Sequence, residues 1–219
     1  MIYVIMCGGY YDVWKEPKQL AVVNGERIID RTIRLLREND VGSIAISSND
    51  PRFEDLGVPV LHHLNEYRSE NGQLTGYWLD AFYPHFEKTD EVTFIFGDVY
   101  FSEDAMRQIV NCQRPGNTLF GSKIAENPWH KNWGEPFAYV VKDYETFMRG
   151  VRTVKDMFDA GALARHPIVW ELYRFLNGLD INIQQVRPGT FVAIDDETID
   201  LDSPTRVADL EKKIKEMGR

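Results

Sequence analysis

Positive charge is scarce in this chain. Its 219 residues carry 25 Lys and Arg against 34 Asp and Glu, a formal net charge of −9. That balance disfavours non-specific binding to nucleic acid or to anionic membranes, since both attract clustered cations. A small phosphate ligand remains compatible, because a few local cations and backbone amides suffice to hold one. Cysteine is almost missing, with only Cys7 and Cys112, which excludes a disulfide framework and a cysteine metal site. Cys7 falls inside an apolar run and reads as a small buried hydrophobe. Long apolar runs are missing as well. The N-terminal one spans about six residues and has no basic leader, too short for a membrane span or a secretory signal. The expected setting is therefore the cytoplasm. Two common phosphate-binding patterns are absent: no Gly-Lys-Ser/Thr follows a glycine loop, and no G-x-G-x-x-G occurs near the first strand. No Ser/His/Asp set stands out. His62 and His63 are adjacent, so in a strand they point to opposite faces and do not share one metal.

What is present is an alternating pattern. Ile2 to Met6 are all apolar and partly β-branched, and Gly8-Gly9 follows, as expected of a buried parallel strand entering a loop. Asn24-Gly25 marks a turn. Ile29, Ile33 and Leu36 recur at helical spacing across residues 26–39. Strands are expected at 43–47, 58–61 and 91–96, and a helix at 74–86. Ser102 is the expected N-cap of a helix whose first turn holds Glu103 and Asp104. Alternation of this kind predicts a mostly parallel sheet flanked by helices. Further along, 125–134 reads as an irregular loop rich in Trp, Asn and Pro. A strand is expected at 136–141, helices at 144–158 and 166–176, and short strands at 181–186 and 190–194. A last helix after Pro204 carries Val207, Leu210, Ile214 and Met217 on one face. At 219 residues and 43% apolar content, the chain is expected to be one domain with a small variable lobe over about 123–188.

Three elements point to chemistry. Gly8 and Gly9 follow the first strand, where glycines let backbone N–H groups approach phosphates. Pro17 stiffens the loop just before Lys18, a point charge suited to phosphate. Gly97-Asp98 places a carboxylate just past a buried strand, at the sheet edge where α/β proteins bind ligands. In Asp200-Leu201-Asp202 the two acids share one face of an extended segment while Leu201 points away. Ser203-Pro204 then opens the last helix. Two distant carboxylate turns, a glycine turn and a lysine suit a nucleoside triphosphate with its Mg²⁺, a hard cation that bridges phosphate oxygens.

These pieces in this order resemble the sugar-phosphate-type nucleotidyltransferases, a GT-A-like superfamily of cytidylyl-, uridylyl- and guanylyltransferases. The likeness runs from Ile2 to about Leu210. It is strongest at Cys7, Gly8, Gly9, Pro17-Lys18-Gln19-Leu20 and Asn24-Gly25-Glu26-Arg27-Ile28-Ile29, good at Phe96-Gly97-Asp98 and Ile199–Pro204, and poor over about 123–188. The resemblance implies a three-layer, Rossmann-like α/β fold and a reaction that joins an NTP to a small phosphorylated acceptor with release of pyrophosphate. Carried over, Cys7, Gly8, Gly9 and Gly97 lie under the nucleotide, and Asn71 and Gly72 belong to its base- and ribose-facing segment. Lys18 contacts the phosphates, and Asp98, Asp202 and Asp200 hold Mg²⁺. Short length without a C-terminal extension resembles the cytidylyltransferases and favours CTP. The Trp129–Trp133 stretch, Lys131 and Trp133 above all, is the candidate acceptor loop. Family members often pair through the variable lobe, so a homodimer is the expected assembly. One departure is plain: where the family continues Gly-x-Arg, this loop reads Gly9-Tyr10-Tyr11-Asp12-Val13-Trp14-Lys15, with no arginine. A glycosyltransferase of the same broad fold is the first alternative, although Asp98-Val99-Tyr100 stands where its Asp-x-Asp belongs. A non-catalytic nucleotide-binding protein is the second.

Overall fold

The structure, a computed structural model, describes residues 1–8, 14, 16–62, 77–82, 91–123 and 134–216. Its centre is a seven-stranded sheet built from β1 (Ile2–Met6), β4 (Ile44–Ser47), β5 (Val60–Leu61), β6 (Val92–Phe96), β8 (Thr118–Ser122), β9 (Pro136–Val141) and β10 (Phe191–Ile194), in the order β10-β8-β9-β6-β1-β4-β5. β1 runs parallel to β4 and β6, β4 to β5, and β8 to β10, while β9 is antiparallel to both β6 and β8. The sheet is thus mostly parallel, as the alternation of strand and helix patterns predicts, and the fold is the expected Rossmann-like α/β type. β1 and β6 are the middle of that sheet, and both are covered on two faces, so their sequences are apolar at nearly every position. The helices are α1 (Ile28–Glu38), α2 (Glu103–Val110), α3 (Tyr144–Asp159), α4 (Val169–Leu176) and α5 (Pro204–Glu216). Ser102 caps α2 as expected, its hydroxyl accepting from the Ala105 N–H at 2.9 Å. Phe94 of β6 packs edge-on to Phe82 and stacks with Phe147 of α3, while Tyr139 of β9 meets Phe147 edge-on, so one aromatic cluster seats α3 on the sheet.

Four local expectations change. Residues 26 and 27 belong to a two-residue strand, β3 (Glu26–Arg27), paired with β2 (Val22–Val23). Asn24 and Gly25 both have positive φ, 50° and 83°, as a tight two-residue hairpin requires, and α1 starts only after it. Within the expected helix at 74–86, the described residues hold a short 3-10 helix, Trp78–Phe82. No strand forms at 181–186. There the Ile181 carbonyl accepts from the Arg174 guanidinium at 2.7 Å and the Asn182 N–H donates to the Asp180 carboxylate at 2.9 Å, so side chains supply the backbone's partners in place of a ladder. β8 has no counterpart in the sequence reading, because Thr118-Leu119-Phe120-Gly121 follows a Pro115-Gly116 turn too closely to show alternation.

The chain puts its active edge where β1 and β6 end side by side. Gly97 N–H donates to the Met6 carbonyl at 3.0 Å. A Cβ on Gly97 would lie 2.7 Å from that oxygen and 2.8 Å from Cys7 Sγ. Gly97→Ala is therefore expected to lower unfolding free energy by about 1–3 kcal/mol through overpacking, measured by urea denaturation. Unchanged stability would show that the two strand ends separate freely.

Candidate active site

Lys18 opens a 3-10 helix, Lys18–Leu20, with Pro17 at its N-cap (φ −51°). Gln19, the next residue, is buried. Pinned this way from below, the Lys18 side chain rises toward the ends of β1 and β6. Its Nζ lies 2.6 Å from Asp98 Oδ2, 3.2 Å from Asp202 Oδ1 and 3.8 Å from Asp200 Oδ1. Residues 18, 98, 200 and 202 are thus brought together from three distant stretches of chain.

A small antiparallel ribbon does the gathering. β7 (Val99–Tyr100) pairs with β11 (Ile199–Asp200), Asp200 opposite Val99 and Ile199 opposite Tyr100. Leu201 N–H then donates to the Asp98 carbonyl at 3.0 Å. The expected alternation holds: Leu201 is fully buried in a cluster with Val23, Ile28, Leu210 and Ile214, while Asp200 and Asp202 turn to the other side. Trp14 adds its indole N–H to the Asp202 carbonyl at 3.3 Å.

Glu135 is the residue that sequence reasoning missed. It precedes β9, after the tryptophan-rich loop, in Gly134-Glu135-Pro136, a context without a motif. One oxygen each from Glu135, Asp200 and Asp202 lie within 4.8 Å of one another. Arg206 of α5 flanks them. Its Nη1 donates to the Asp200 carbonyl at 2.9 Å and lies 3.3 Å from Asp202 Oδ2, and its Nη2 lies 4.0 Å from Glu135 Oε1.

The electrostatics follow from crowding. Burial pushes the Asp200 carboxyl up to about 9, and the Asp98 charge adds to this against the opposing pull of Lys18. Burial also raises the Asp202 carboxyl, but a proton shared with Asp200 and the Lys18 ammonium outweigh it, and the net shift is downward. Glu135 is raised, first by burial and then by Asp202. Burial disfavours the Lys18 ammonium, yet Asp98 and Asp200 override that and hold its pKa above the ordinary lysine value.

The set fits a divalent cation. Asp200 Oδ1 is buried and makes no hydrogen bond, an arrangement that costs free energy unless a cation or proton is nearby. All donors are carboxylate oxygens, which suit a hard ion. Cys7 is different. It is buried, burial and then Asp98 push its thiol well above the usual range, and its carbonyl accepts from Ser48 Oγ at 3.1 Å. Its side chain is buried against Gly97, and Gly8 after it is exposed. Gly97 lies between Cys7 and Asp98, as placed above. Gly9, Asn71, Gly72, Lys131 and Trp133 lie outside the described residues.

Asp200 also sets a pH dependence. The folded chain keeps its proton up to about pH 9, whereas an unfolded aspartate loses it near pH ~4. Between those values the unfolded state binds fewer protons, so this group's contribution to stability declines as pH rises. Asp200→Asn should melt higher than the parent, by a margin that widens from pH 5 to pH 8.5, and should lose any rise in melting temperature on adding a divalent cation. Melts in a pH series check this, and a constant margin would refute the buried-charge assignment.

Comparisons with known proteins come to the same fold. The model of the MobA-like NTP transferase domain matches residues 3–162. No curated protein matches the sequence significantly. A Bacillus anthracis structure assigned as a glucose-1-phosphate thymidylyltransferase, solved with sucrose, is 14% identical, with 97% of this chain and 94% of that one covered and a TM-score of 0.65. The 4-diphosphocytidyl-2C-methyl-D-erythritol synthase of Anaerococcus prevotii is 10% identical over 97% and 95% of the two chains, TM-score 0.62. The CTP:phosphocholine cytidylyltransferase of Streptococcus pneumoniae is 15% identical over 97% and 98%, TM-score 0.54. At such identities these structures speak for the fold alone. No helix among the described residues is long and apolar enough to cross a membrane.

Proposed function

Because the chain belongs to the MobA-like NTP transferase domain family and is a nucleotidyltransferase, we propose that it is a Mg²⁺-dependent enzyme joining CTP to a small phosphorylated acceptor. The observation that carries this reading is Lys18 Nζ, 2.6 Å from Asp98 and 3.2 Å from Asp202, at the end of β1 and β6. A cation and a cluster of hard oxygen donors share the sheet edge where a triphosphate and its metal are needed together. CTP is favoured because two of the similar structures are named for cytidylyl products or for CTP. Activated precursors of a surface polysaccharide, made in the cytoplasm by a homodimer, complete the reading.

The chemistry asks little of the protein. An acceptor phosphate oxygen attacks the α-phosphorus in line, the bond to the bridging oxygen breaks, and pyrophosphate leaves. The acceptor oxygen is already ionised, so no general base is needed, in keeping with the lack of a Ser/His/Asp set. Positioning and charge stabilisation account for catalysis of this kind. Asp98, Asp200 and Asp202, with Glu135, would hold the metal, which would supply positive charge to offset that of the phosphates. Lys18 supplies a fixed cation where negative charge grows on the leaving group. The backbone of Cys7, Gly8 and Gly9 carries the nucleotide, with Asn71 and Gly72 toward base and ribose. Region 123–188, through Lys131 and Trp133, receives the acceptor.

The test is incubation with each NTP, Mg²⁺ and a panel of phosphorylated acceptors, reading pyrophosphate. Asp98→Ala and Asp202→Ala are each expected to cut kcat at least ~100-fold with a native melting curve. Lys18→Ala should cost about 2–4 kcal/mol of transition-state stabilisation, and Lys18→Arg should rescue little because its head group is a planar fork. Wild-type rates in these variants would remove the cluster from catalysis.

Lys131→Ala and Trp133→Ala should raise the acceptor KM and leave the NTP KM unchanged. A lowered melting temperature with an unaltered acceptor KM would instead make this loop a packing element.

A further inference from the structure

Four carboxylates, Asp98, Asp200, Asp202 and Glu135, crowd the sheet edge. Among the described residues only two basic side chains pair with them, Lys18 and Arg206. Lys18 reaches in from the first loop and lies against Asp98. Arg206 reaches in from α5 and lies against Asp202 and Glu135. The two cations share Asp202, Lys18 at Oδ1 and Arg206 at Oδ2, while only Lys18 meets Asp98 and only Arg206 meets Glu135.

Arg206 is committed through one amino group only. Nη1 donates to the Asp200 carbonyl at 2.9 Å and contacts Asp202 at 3.3 Å. Nη2 is 4.0 Å from Glu135, beyond hydrogen-bond distance. Nε and Nη2 make no hydrogen bond among the described residues, and the side chain is 37% exposed. A guanidinium anchored at one corner, whose Nε and Nη2 make no hydrogen bond among the described residues, keeps the planar fork that matches two oxygens of a phosphate. Its anchor matters as much as its free edge, because the Asp200 carbonyl and the Asp202 carboxylate fix the plane of the fork beside the reacting centre.

A two-substrate reaction between phosphates brings two anions to an acidic edge, and each needs a cation of its own. With Lys18 serving the triphosphate, we propose that Arg206 is a specificity-determining residue that receives the phosphate of the acceptor and aligns its attacking oxygen. The inference rests on the reading of the acceptor as a phosphorylated molecule. It makes a second demand as well: an acceptor that presents a neutral hydroxyl in place of an anionic group gains less from the fork, so the preference for an anionic acceptor resides at this residue.

Inorganic phosphate is the direct probe. Titrated calorimetrically, it should bind Arg206→Gln roughly tenfold to a hundredfold more weakly than the parent, the loss of one or two charge-assisted hydrogen bonds. Arg206→Lys should recover part of that affinity, since it keeps the charge and loses the fork. In steady-state assays the acceptor KM should rise in Arg206→Gln while the NTP KM stays put. Equal phosphate affinity in the parent and Arg206→Gln, or no phosphate binding by the parent, overturns the proposal. So does a parallel rise of both KM values, which would make Arg206 a tie between α5 and the carboxylates. If Arg206→Gln melts below the assay temperature, Arg206→Lys decides: full phosphate affinity in it refutes the fork. Phosphate binding that depends on Arg206, in a protein releasing no pyrophosphate from any NTP and acceptor, would refute the proposed reaction and with it the alignment of an acceptor, leaving Arg206 as a phosphate-binding residue only.

Discussion

The pairing of Ile199–Asp200 with Val99–Tyr100 is the contact on which the rest of the site depends. It joins the segment just past β6 to a segment a hundred residues later, and it places their acids on one side. The ribbon has only two residues per strand, too short to persist by itself. Its stability comes from Leu201, fully buried among Val23, Ile28, Leu210 and Ile214. Burying one leucine is worth about 1.5–3 kcal/mol, enough to anchor a turn of this size. The small cluster that it enters also packs α5 and the β2–β3 hairpin. The same apolar patch thus holds the loop that carries Lys18 and the helix that carries Arg206.

Bringing carboxylates so close is unfavourable in itself. Burial and the Asp98 charge together push Asp200 up to about 9, and the buried Asp200 Oδ1, which makes no hydrogen bond, adds a desolvation cost. Lys18 and Arg206 offset part of this. A site that crowds carboxylates in this way is less stable than its surroundings, and the surrounding sheet must supply the difference. It does so through strands such as β1 and β6, whose residues are buried at almost every position.

The open edge of the sheet explains why these groups meet at all. In parallel strands the carboxyl ends lie side by side, and the loops leaving them share one crevice. β1 delivers Cys7 and Gly8, and β6 delivers Gly97 and Asp98. The two ends approach so closely that Gly97 has no space for a Cβ. Antiparallel β9 then runs back from that edge, so Glu135 at its start falls beside the same crevice.

Much of this was legible in the residues. Runs of apolar residues showed β1, β4 and β6, the i, i+3, i+4 stripes showed α1 and α5, and Ser102 showed its own cap, because each signal is local and follows from backbone geometry. The alternation in Asp200-Leu201-Asp202 likewise announced which residues turn inward. Elsewhere local signals were incomplete. Residues 181–186 have the composition of a strand, but Arg174 and Asp180 side chains take their backbone partners. Glu135 has no motif, since its place depends on β9 running antiparallel between β6 and β8. Arg206 looked like any exposed helical arginine. The sequence alone determined the strand-and-helix pattern and the acids and lysine available to it; only the tertiary structure decided which of them meet, because sheet order and a ribbon between residues 100 positions apart are set by packing that no short stretch of chain contains.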